Sequence, residues 1–132
     1  MGSIAAADAT NIELNGTSDV RLKTDIKNTS LKGLDIINAL RLRDFKWNDK
    51  AKDNIIGKQE IGRWIADEVN DVYPDAVNGT PGRMKPVKDE NGNKTGEEEI
   101  FPINIMPARF IAPMMNAIQE LSAKVEALEK AK

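Results

Sequence analysis

The most regular alternation of apolar and polar positions lies at the C-terminal end of the chain. Ile111, Ile118 and Val125 recur at every seventh residue, and Met114, Leu121 and Leu128 follow at the same interval. Taken as heptad positions a and d, they predict a helix over about residues 107–131 with a narrow apolar seam. Pro113 falls in its first turn, where a missing N–H costs little. Two readings fit: an amphipathic helix packed on its own domain, or a self-associating coiled coil. The strict two-in-seven spacing, with alanine at 112, 117, 123, 127 and 131, favours the second. In a parallel arrangement Lys124 at g faces Glu129 at e of a neighbour. Ile and Val at a with Leu at d lean toward two strands, so the pattern alone does not set the number of chains.

Upstream the periodicity is weaker. Residues 1–17 are small and polar, with Asn11–Leu14 reading as a strand end before an Asn15-Gly16 turn and Met1-Gly2-Ser3 as a cloning remnant. Ser18 to Lys23 reads as extended, polar apart from Val20 and Leu22. Ser30 predicts an N-cap for a helix over Leu31–Leu40. Leu42–Trp47 reads as a strand whose parity is faulty, which predicts a bulge or an edge position. Ile61–Ala66 reads as a second strand, and Asp67–Tyr73 as a short helix stopped by Pro74. Arg83–Lys88 and Glu97–Phe101 flank an Asn91-Gly92 turn signal, predicting a projecting β-hairpin at about 83–101. It carries little apolar surface and is expected to gain order against a partner.

Composition narrows the chemistry. At 132 residues the chain fits one domain, and its net charge of -2 gives no strong pull toward nucleic acid or an anionic membrane. Six aromatics are few for a core, which predicts an extended shape or an oligomer. With no Cys and no His, disulfides, thiol nucleophiles, the usual zinc and haem sites and a Ser-His-Asp triad are excluded. Asp89–Asn93 looks like the start of a calcium loop, but Lys94 stands where Gly is needed and Ile100 where Glu is needed. No Gly-rich phosphate loop occurs, so neither a metal nor a cofactor is expected. Arg41, Arg43, Lys46, Lys50 and Lys52 with Phe45 and Trp47 could form a stacking strip for nucleic acid. The net acidity favours the plainer reading, a strand with Trp47 in the core. No signal peptide and no bilayer-length apolar run occur, so no membrane partner is expected.

A hydroxyl nucleophile remains. Without histidine, the natural base for serine is a lysine that has lost its proton, and Ser18 and Lys23 are the candidate pair. In an extended segment residues five apart lie on opposite faces, so the pair needs a turn or a second chain to meet.

The order Ser18-Asp19-Val20-Arg21-Leu22-Lys23, Ile26, Leu34–Leu40, Phe45-Lys46-Trp47, Ile61–Val69, Tyr73-Pro74 and Ala117–Leu121 resembles the C-terminal intramolecular chaperone of phage tail spikes, tail fibres and neck appendages. That family is also classed as the self-cleaving S74 peptidases. The resemblance spans residues 18–132 and leaves 1–17 as the end of an upstream fibre stem or an expression leader. It implies an α+β fold of short strands and helices, with the hairpin projecting and the long C-terminal helix forming a three-chain bundle. It implies a homotrimer that helps an upstream fibre domain of the same polypeptide to fold. Such a module then releases itself by cleavage between Thr17 and Ser18. Ser18 and Lys23 map onto the family's dyad; the role of Asp19 is left open. Ile111, Met114, Ile118, Leu121, Val125 and Leu128 would line the trimer interface. The alternative is a structural trimerisation cap that never cuts. The implied location is the host cytoplasm during virion assembly, with release from the mature fibre after cleavage.

Overall fold

The computed structural model describes residues 17–132, and the strand end and turn expected over Asn11–Gly16 lie outside the described residues. A 3-10 turn at Val20–Leu22 precedes helix α1 (Gly33–Ala39), strands β1 (Arg43–Lys46) and β2 (Gln59–Arg63), and helix α2 (Ala66–Val72). Strands β3 (Val77–Asn78), β4 (Met84–Lys88), β5 (Lys94–Ile100) and β6 (Asn104–Ile105) follow, and a 3-10 turn at Pro107–Phe110 leads into the long helix α3 (Ile111–Lys130). The strands pair two by two, all antiparallel: β1 with β2, β3 with β6, β4 with β5. The fold is therefore mixed α+β, built from small hairpins and helices rather than around one sheet.

The core is correspondingly small. Phe110, Val69 and Ala76 are buried to within 2% of full exclusion, with Leu40, Trp64, Tyr73, Val77 and Ile105 packed around them. The Trp64 ring stacks on Phe110 at 4.6 Å between centroids, inclined by 21°. Pairing of Val77 with Ile105, extended by the Met106 N–H donating to the Ala76 carbonyl at 2.8 Å, sets Phe110 over α2. α2 ends at Val72, with Tyr73 as its C-cap, and Pro74 next in the chain has no N–H with which to continue it.

Three expectations are corrected. β2 spans Gln59–Arg63 rather than Ile61–Ala66, because Trp64 turns inward onto Phe110 instead of continuing the ladder. β5 begins at Lys94 rather than Glu97. The Asp89 carboxylate accepts from the N–H groups of Asn91 and Asn93 at 2.9 and 3.0 Å, which closes a tight turn and lengthens the strand. The third concerns α1, which starts at Gly33 rather than Leu31 and follows Lys32, whose side chain makes no capping bond. Its first amides are capped from far along the chain. Asn116 Oδ1 accepts from Gly33 N–H at 2.6 Å, and Glu120 Oε1 accepts from Leu34 N–H at 3.1 Å. Asn116 and Glu120 stand one turn apart on α3, so one helix supplies both caps of the other.

The parity fault in β1 is a register shift between Arg43 and Phe45. It frees the Asp44 carboxylate to accept from Gly62 N–H at 2.9 Å, at a residue whose φ of +65° suits glycine. Among the described residues no helix is long and apolar enough to cross a membrane.

Candidate active site

Ser18 to Lys23 is not extended. Asp19 has an extended backbone and accepts the Arg21 N–H on its own Oδ1 at 2.8 Å, the turn that aspartate forms with the residue two positions on. The Leu22 N–H then closes on the Asp19 carbonyl and the Lys23 N–H on the Val20 carbonyl, each at 3.1 Å. That single 3-10 turn reverses the facing of residues five apart. Lys23 Nζ donates to Ser18 Oγ at 2.7 Å.

The geometry therefore joins the two residues that sequence spacing alone would separate. Ser18, Lys23 and Thr17 are all exposed, and Val20, Leu22 and Ile26 around them are 66%, 74% and 67% exposed. Asp19 does not reach the lysine: both its oxygens are engaged by Arg21, Oδ1 by Nε at 3.1 Å and Oδ2 by Nη2 at 2.8 Å. This pairing with the Arg21 side chain and N–H holds the Asp19 carboxyl below the usual carboxylate range. Asp25 then turns the chain with φ of +53°, in the left-handed region that aspartate tolerates better than most residues. Arg21 is the residue that reading the sequence missed. The signal was present: aspartate's preference for turns over strands argued against an extended Ser18–Lys23.

A second surface lies on α3. The helix packs on α1 through Pro113, Asn116, Ala117 and Glu120, which occupy positions c, f and g of the heptad. Ile111, Met114, Ile118, Leu121, Val125 and Leu128 face away from this contact and remain 47–67% exposed. The helix's own domain thus uses one face, and the heptad seam is left open.

Of the basic residues at and around β1, Arg43 has a partner within the chain, and the two aromatics among them pair with each other. Phe45 and Trp47 meet edge to face at 5.1 Å, both half-buried, and Trp47 Nε1 donates to Glu60 at 3.3 Å. Arg43 is engaged by Glu68 through two bonds, at 3.0 and 2.8 Å. The same pair holds the Glu68 carboxyl below its usual range.

Residues 18–78 match the model of the Peptidase_S74 family, described as chaperone of endosialidase. The match opens at Ser18 and runs through the Ser18–Lys23 turn, α1, β1, β2 and α2 to the end of β3. No curated protein matches the chain.

Proposed function

From the match of residues 18–78 to the chaperone-of-endosialidase family, we propose that this chain is a trimeric intramolecular chaperone that cuts itself away from an upstream fibre domain. The observation that carries the cleavage is the 2.7 Å contact between Lys23 Nζ and Ser18 Oγ, in a chain without imidazole or thiol. Lys23, having shed its proton, takes the one on Ser18 Oγ. The oxygen attacks the carbonyl carbon of Thr17, the peptide C–N bond breaks, and the Ser18 nitrogen receives the proton. Because Ser18 is acylated at its own nitrogen, this is an N→O shift that leaves an ester. Water then hydrolyses the ester, releasing a Thr17 carboxylate and a chain that begins at Ser18. Backbone N–H groups stabilise the intermediate oxyanion.

Trimerisation gives the reaction its timing. The seam on α3 assembles three chains, and a neighbouring copy covers Val20, Leu22 and Ile26. Burial of a lysine is the change that favours its neutral, basic form. The β4–β5 hairpin, with every residue of β5 exposed, lies against the folded stem, since two strands alone are marginally stable in water. The setting is the host cytoplasm during virion assembly, and the released module leaves the mature fibre.

A second reading, a trimeric cap that never cuts, is favoured by one observation: in the single chain both members of the dyad face water. Intact-mass spectrometry of the purified protein separates the two. Self-cleavage yields a species starting at Ser18 that is absent from Ser18→Ala and Lys23→Ala. Full-length mass throughout, with the trimer intact, establishes the cap, and cleavage persisting in either variant eliminates the dyad.

A further inference from the structure

The placement of Lys23 on Ser18 owes little to the protein core. Ser18 and Lys23 are exposed, and the bonds that shape the segment between them are local. An extended segment of this length would separate the two residues by roughly 16 Å along the chain and turn them to opposite faces. The turn that prevents this is held at its centre by Asp19 and Arg21. One aspartate oxygen takes both the Arg21 N–H and Nε, and the other takes Nη2.

We propose that Asp19 and Arg21 form a positioning clasp that holds the lysine base on its serine, with Arg21 a further residue required for cleavage. This inference rests on the self-cleavage reading and assigns the aspartate a role other than proton transfer. Every side-chain bond of Asp19 goes to Arg21 and none to Ser18 or Lys23, an arrangement for holding the turn rather than for passing a proton. Arginine rather than lysine is demanded because its planar fork meets both carboxylate oxygens together. An ion pair this exposed adds little to global stability, so its value lies in geometry. Displacing a reacting group by about 1 Å can cost on the order of a hundredfold in rate.

The test uses the full chain and four forms: unaltered, Asp19→Asn, Arg21→Lys and Arg21→Gln. The first-order appearance of the species starting at Ser18 is followed by mass spectrometry across a range of pH. The clasp predicts plateau rates lower by roughly 10- to 100-fold in all three variants. The pH midpoint should stay in place, because the base is unchanged, and sedimentation should show the same assembly. A plateau in Arg21→Gln equal to that of the unaltered chain overturns the proposal. So does an unchanged plateau with a displaced midpoint, which would make the pair an electrostatic tuner of the lysine.

A second readout does not depend on cleavage. Nitrogen-edited NMR in the cold, at mildly acid pH, detects only lysine ammonium groups held by hydrogen bonds. A Lys23 signal in the unaltered chain should vanish in Arg21→Gln, and its persistence there overturns the clasp. An unaltered chain that never cleaves defeats the self-cleavage reading instead, and the ammonium signal then decides the clasp alone.

Discussion

Tyr73 is the only tyrosine of the chain and reports on the core directly. It lies half-buried beside Phe110, with ring centroids 6.3 Å apart. Burial, and next the neighbouring Asp75 carboxylate, push its phenol above the ordinary value near 10. The folded state therefore holds the proton more tightly than the unfolded one. The stability this gives is complete below the ordinary phenol pKa and is lost as pH rises through the folded value. Titration followed by tyrosinate absorbance should give a midpoint above 10 in the native protein, returning to about 10 in urea. A native midpoint at or below the denatured one would remove Tyr73 from the core. Its site was only partly legible beforehand. Tyr73-Pro74 marked the end of a helix, but the packing of Trp64 and Tyr73 around Phe110 joins residues far apart in the chain, and local periodicity does not report such contacts.

Between elements, the α1–α3 contact is decided at Gly33. In a helix, alanine is ordinarily better than glycine by about 0.5–1 kcal/mol. Here a Cβ would lie 2.4 Å from the Pro113 carbonyl oxygen and 2.5 Å from the Ala117 nitrogen, both backbone atoms that cannot step aside. Gly33→Ala should force the helices apart, cost about 1–3 kcal/mol from overpacking, and weaken two capping bonds worth about 1 kcal/mol each. Urea unfolding should thus show a net loss, and a gain in midpoint would mean that helix propensity alone governs the site. The same contact explains why the start of α1 was misplaced. Ser30 is a good capping residue, but the amides of Gly33 and Leu34 are satisfied by Asn116 and Glu120, 83 and 86 positions away. The hairpin and α3 were legible because their signals, an Asn-Gly turn and a seven-residue repeat, are local.

At the scale of the whole molecule, the described residues bury few apolar side chains fully. Three hydrophobic residues of the core cluster are fully buried with five half-buried ones packed on them, whereas six on the seam stay largely exposed. Burying one such side chain stabilises by about 1.5–3 kcal/mol, so the seam is large enough to drive association. Leu121→Asp places a charge in the middle of it without touching the α1 contact. If the proposed trimer forms through this seam, sedimentation should find the variant as monomers whose circular dichroism keeps its helical component. An unchanged trimer would place the interface elsewhere.

What the sequence determined by itself was whatever short-range patterning can carry. The hairpin and the long helix with its seam follow from neighbours within a turn or a heptad, and composition alone excludes an imidazole or thiol base; the α+β class came from the family resemblance. Tertiary structure decided which face of α3 the chain keeps for itself, because that depends on a glycine and two caps from opposite ends of the chain. The contact between Ser18 and Lys23 lies between these cases. Its turn is local, made by an aspartate and an arginine two residues apart, yet alternation of polar and apolar positions does not register it, since the bonds that make it join side chain to backbone.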